Sequence, residues 1–88
     1  MEKSIELVRN SFENLDNIDY KDLIYVFYDH FSNRNLARFI AYLYNKDETI
    51  LLFEIDDVMA NKKYNLDKAE KIAARLKKNG FDAWAELD

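Results

Sequence analysis

The 88-residue sequence predicts an α+β domain ordered α-α-β-β-α-β, with helices packed on a small three-stranded sheet. Three observations predict it. Residues 38–44 and 49–55 are runs rich in β-branched, aromatic and aliphatic side chains, joined by Asn45-Lys46-Asp47-Glu48, a polar break of hairpin length. Residues 81–87 alternate Phe81, Ala83, Ala85 and Leu87 against Asp82, Trp84 and Glu86, the period of a strand with one covered face. Between them lies one amphipathic helical stretch, which makes the second strand, helix and third strand a right-handed β-α-β crossover.

Taken in order, residues 4–15 carry Ile5, Val8, Phe12 and Leu15 at helical spacing, with Ser4 as a candidate cap. Asp19 caps a second helix over residues 20–32, and Asp22 completes a capping-box-like pair. That helix is apolar beyond a single stripe: Tyr20, Tyr25, Val26 and Tyr28 widen the Leu23, Ile24, Phe27, Phe31 row. A helix of this kind is packed on more than one side, or shows its tyrosines to a partner. The hairpin follows as an antiparallel pair, the first strand presenting Phe39, Ala41 and Leu43 on one side and Ile40, Tyr42 and Tyr44 on the other. Asn65 or Asp67 caps a third helix over residues 66–79, with Leu66, Ala69, Ile72, Ala73 and Leu76 on its buried side. Gly80, the sole glycine, stands where a left-handed C-terminal cap is wanted. The third strand pairs beside the first, in sheet order 2-1-3, or else beside the second. Because both faces of the hairpin are oily and a two-stranded ribbon is marginal alone, each face needs cover from this chain or another.

Length allows a single domain over residues 1–88. Half the residues are apolar and a third charged, the balance of a folded domain. There is no cysteine, which removes disulfides and thiolate chemistry and is compatible with a reducing cytoplasm. The charged N-terminal segment reads as neither signal peptide nor membrane span, so a cytoplasmic protein is expected. Residues 1–57 hold 6 Lys/Arg against 12 Asp/Glu, and residues 58–88 hold 7 against 5. The expected molecule is acidic in its first half and mildly basic around one helix.

No motif places a reaction. His30 has no nucleophile or ligand partner assigned by spacing and reads as a residue near a helix C-terminus. Glu54, Asp56 and Asp57 read as a solvated strand end rather than a Mg²⁺ site. One glycine cannot build a phosphate-cradling loop. A non-enzymatic protein without cofactor or metal is expected.

What remains is recognition. Tyr25, Tyr28, Tyr42, Tyr44 and Trp84 are candidate interface anchors, since Tyr and Trp dominate interface energetics. Asp16, Asp19 and Asp22 are candidate acidic contacts for a basic partner surface. The expectation is a small acidic protein-binding module, a regulator or inhibitor of another protein. In its sharpest form it is a viral or mobile-element inhibitor of a host nucleic-acid-binding or nuclease system, acting by phosphate mimicry. Self-association, as a homodimer for example, is a further option. The alternative is a nucleic-acid-associated accessory protein that uses Lys62, Lys63, Lys68, Lys71, Arg75 and Lys78 with an aromatic sheet face. Net charge of −4 disfavours direct nucleic-acid binding, where phosphate contact dominates affinity.

Overall fold

Residues 38–44 and 49–55 are not strands. In the computed structural model, which describes residues 1–87, they lie inside two antiparallel helices, Asn33–Tyr44 (α3) and Glu48–Ala60 (α4), that pack along one another. The polar break between them is a helix–helix corner. Asn45 ends α3 in the left-handed conformation (φ 53°, ψ 52°) with its N–H on the Ala41 carbonyl, and Asp47 opens α4 by accepting from the Ile50 N–H at 3.0 Å. Asn is among the few non-glycine residues that tolerate this conformation. A left-handed stop at Asn45 and, after Lys46, an N-cap at Asp47 therefore build the corner from local chemistry.

The apolar residues of the two runs fit a 3.6-residue period better than a 2-residue one. Leu36, Ala37, Phe39 and Ile40 are buried on α3, and Leu51, Ile55 and Val58 on α4. A strand face would have joined Phe39 to Ala41 and Leu43, and separated it from Ile40. Intrinsic β-propensity is weak against such packing. Residues 81–87 are corrected on the same ground. Phe81–Glu86 is a short helix (α6) that buries Trp84 and half-buries Phe81 and Ala85, while Ala83 and Leu87 face solvent. The α+β class, the three-stranded sheet, its 2-1-3 order and the β-α-β crossover are all overturned. Among the described residues there are six α-helices, two 3₁₀ turns and no strand.

The remaining elements are Glu2–Ser11 (α1), Tyr20–Phe27 (α2) and Leu66–Lys78 (α5), with 3₁₀ turns at Leu15–Asn17 and Tyr28–His30. Several caps match the local sequence signals. Asp19 accepts from the Lys21 N–H at 2.9 Å, and Asn65 accepts from the Lys68 N–H at 3.0 Å. Gly80 takes φ 103° after α5, a conformation costly for any residue with a Cβ. Others differ. Ser4 lies inside α1 and donates its hydroxyl to the Met1 carbonyl at 2.6 Å. Asp22 points away from the start of its own helix and accepts from the Asn65 N–H at 2.7 Å. The second helix stops at Phe27, and Ser32, read from sequence as part of its end, instead caps α3 through the Asn35 N–H.

α2 is the central element. It packs against α3, α4 and α5, while α1 packs on α5 and α6. This explains its broad apolar circumference: Leu23, Ile24 and Phe27 have no solvent exposure. Phe27 is the hub of an aromatic cluster, with Phe39 at 5.0 Å, Trp84 at 5.4 Å and Phe81 at 5.7 Å, each edge to face. His30 meets Phe81 edge-on at 5.1 Å. Such pairs add about 0.5–1.5 kcal/mol each beyond the area they bury. Among the described residues no helix is long and apolar enough to cross a membrane.

Candidate functional site

The face left without cover is on α4. That helix carries apolar residues over most of its circumference. Leu51, Ile55 and Val58 turn to the core, but Ile50 is 64 % and Phe53 is 74 % exposed. They lie three residues apart and so share a face. A scattered exposed aliphatic residue is ordinary. A bulky pair on a helix whose opposite side is fully buried is an unpartnered face.

Acidic groups frame this pair. Between Asp47 and Asn61 the chain has four carboxylates and no Lys or Arg, and each carboxylate is held in place. Glu48 pairs with Arg38 at 3.5 Å, and Glu54 accepts the Tyr20 hydroxyl. Asp56 accepts from the Asn33 side chain at 3.0 Å. Asp57 accepts from Asn61 and pairs with Lys63, both at 2.6 Å. The hydrogen bond from Lys63, helped by that from Asn61, holds the Asp57 carboxyl below the usual carboxylate range. Burial, then the Glu54 carboxylate, pushes the Tyr20 phenol well above its ordinary value, so it stays a donor to Glu54. Hydrogen bonds and ion pairs thus fix the rim in orientation.

The anchors expected from sequence are distributed differently. Trp84, expected on a sheet face and offered as an interface anchor, is 8 % exposed and belongs to the core. Tyr44 is half-buried and donates to the Ile18 carbonyl at 2.8 Å. Burial, with Asp19, Asp22 and Asp16 nearby, raises its phenol well above the ordinary value. Tyr25 is half-buried and stacks on Tyr64 with ring centres 4.2 Å apart; Tyr28 is half-buried beside the core. Tyr42 is exposed, with the Arg9 guanidinium 5.4 Å from its ring centre. Asp16 and Asp19 are exposed, whereas Asp22 is buried.

The structure also joins two groups that the sequence had set apart. Asp19 and Asp22 line one cleft, of about 590 Å³, with Lys68, Lys71 and Arg75. Acidic and basic residues therefore interleave at this point of the surface. Lys78 lies further along α5, Lys63 is tied to Asp57, and Lys62 sits in the connector with φ 50°. Among the described residues there is no sheet, and so no aromatic sheet face to accompany these cations.

Ile50 and Phe53 were missed as site residues because, in a strand, Phe53 belongs to an apolar face with Leu51 and Ile55. On a helix the same residue leaves that company. The signal was present in the absence of clean alternation, which is how a helix apolar on nearly every side reads. Among the described residues no group of three or more His, Asp or Glu side chains could hold a metal ion. Compared with known proteins, the chain matches no family model, no curated protein and no solved structure.

Proposed function

We propose that this chain is a protein-binding module that acts as a regulator or inhibitor by occupying a partner's surface through α4. The observation that carries the reading is the exposure of Ile50 and Phe53 on a helix otherwise seated in the core. Burying such a pair contributes about 1.5–3 kcal/mol per side chain, enough to anchor a small interface. Charge selects the occupant. A second copy docked face to face on α4 would set Glu54, Asp56 and Asp57 against their own equivalents, and like charges across an interface cost several kcal/mol. A partner with an apolar groove and a basic rim meets the same face favourably. Basic surfaces of this kind are what nucleic-acid-binding proteins present, so competition for such a surface is the form of regulation α4 fits. A chain without cysteine is compatible with a reducing cytoplasm, where we take the module to act.

The test compares capture of partners from lysate by the intact chain and by Phe53→Ser, each checked for folding by circular dichroism. The reading expects a partner whose contact segment is basic, whose capture weakens with salt, and which Phe53→Ser loses by at least about tenfold. Equal capture by the variant, or a partner that contacts α4 through acidic residues, would overturn it.

A further inference from the structure

A second recognition surface, opposite in chemistry to α4, runs beside α5. Lys68, Lys71, Arg75 and Lys78 recur at intervals of three, four and three, which places them on one face of the helix. They span about 15 Å at 1.5 Å per residue. A lysine-bearing helix side is usually only solvated, but this one borders a hollow. The central cleft of about 590 Å³ has Phe12, Ile18 and Ile72 in its lining. It shares Lys68 with a hollow towards Tyr44 and Lys46, and shares Lys71 and Arg75 with another towards Asn10 and Lys78. The three form one groove along the helix.

The cations are available. Among the described residues, ion pairs within 4.0 Å join Arg38 to Glu48 and Lys63 to Asp57, and none involves these four. Arg75 is also oriented: its Nε–H donates to the Ser11 carbonyl at 2.7 Å, which fixes the guanidinium across the groove and leaves its terminal amino groups for a ligand. Carboxylates share the lining: Glu13, Asp19 and the buried Asp22 in the central cleft, and Asp16 in the hollow towards Tyr44. A nucleic-acid strand carries a charge at every step and would meet those carboxylates somewhere along the groove. A peptide can put acidic residues beside the cations, neutral ones beside the carboxylates, and one large side chain on the apolar lining.

We propose that the groove beside α5 seats an acidic peptide segment of a partner protein carrying one bulky apolar side chain. The proposal does not rest on the α4 reading, because the two surfaces take opposite charge and fail through different variants.

The probe is an acetylated and amidated decapeptide in which Glu and Asp alternate with Ser around one central Leu, titrated into the isotopically labelled chain and followed by amide NMR shifts. Saturable shifts are expected at residues 10–19 and 68–78, with affinity falling as salt rises. The double variant Lys71→Glu, Lys78→Glu should weaken binding by about tenfold or more, as should replacing the Leu by Gly. Phe53→Ser should leave it unchanged. Absence of shifts in the groove, insensitivity to the double charge reversal, tighter binding of a ten-nucleotide oligothymidylate, or self-association through the groove on sedimentation would each overturn it.

Discussion

The carboxylate of Asp22 accepts a hydrogen bond from the backbone N–H of Asn65 at 2.7 Å, across 43 positions of sequence. Asp22 is 2 % exposed, and the bond pins the start of α5 to the start of α2. Asn65 in turn caps α5 through its own side chain. Asp22→Ala removes the buried acceptor of this part-buried hydrogen bond and should cost about 2 kcal/mol or more. Asp22→Asn, which keeps an acceptor oxygen, should cost about 1 kcal/mol. Urea denaturation of both variants checks the order; equal losses would show that the charge, and not the acceptor, matters.

Phe27 and Trp84 make the next prediction. With Phe27 at the hub of the aromatic cluster, Phe27→Ala should cost about 3–5 kcal/mol, a large share of the stability of a domain this small. Phe27→Leu, which retains most of the volume, should stay folded with a lower Tm. Trp84 reports on the same region without mutation. Its fluorescence should be blue-shifted and resist acrylamide in the native chain, and become accessible in Phe27→Ala. Free quenching of native Trp84 would contradict its place in the core.

Gly80 isolates a backbone effect. Its φ is 103°, and a Cβ built there would meet nothing within 4 Å. Gly80→Ala should therefore be penalised by conformation alone, by about 1–2 kcal/mol. That corresponds to a fall in Tm of about 4–16 °C for a domain of this size. An unchanged Tm would mean that the corner after α5 adopts another conformation.

Alkaline pH should unfold the domain partly through its tyrosines. The Tyr44 and Tyr20 phenols are both raised in the fold above their ordinary value near 10, so the folded chain prefers them protonated. The stability this contributes is fully present below pH 10, the value in the unfolded chain, and is lost as pH rises from there towards the folded value. Tm should fall as pH passes 10. Tyr44→Phe should be less stable at neutral pH, by about 1 kcal/mol for the lost bond to the Ile18 carbonyl, yet should fall less steeply above pH 10. Parallel slopes for the two proteins would exclude the tyrosine contribution.

Local signals were legible in the sequence where they act on their own turn. Asp19, Asn65 and Gly80 cap or end helices as their chemistry demands, and Ala69, Ile72 and Leu76 form the buried row of α5. The breadth of α2's apolar surface correctly implied packing on more than one side. The sheet was misread because residues 38–44 and 49–55 combine β-favouring side chains with no clean alternation. For a short apolar run, periodicity alone does not separate a buried strand from a buried helix. The separating signs were Asn45 before Asp47, a stop followed by a start, and the total absence of proline and glycine between residues 33 and 60. The exposed face of α4 went unseen for the same reason, since Phe53 changes sides when the period changes. Trp84 was placed outside because alternation set it opposite Phe81, whereas three residues along a helix set the two rings 5.5 Å apart.

The first and last helices of this domain lie side by side. A flexible linker from residue 87 to residue 1 would let new ends be opened at Lys62, in the exposed connector between α4 and α5. Such a circular permutant would keep every helix intact while turning α4 into the last element of the chain. The helix that exposes Ile50 and Phe53 could then be fused directly to a second module without passing through the core.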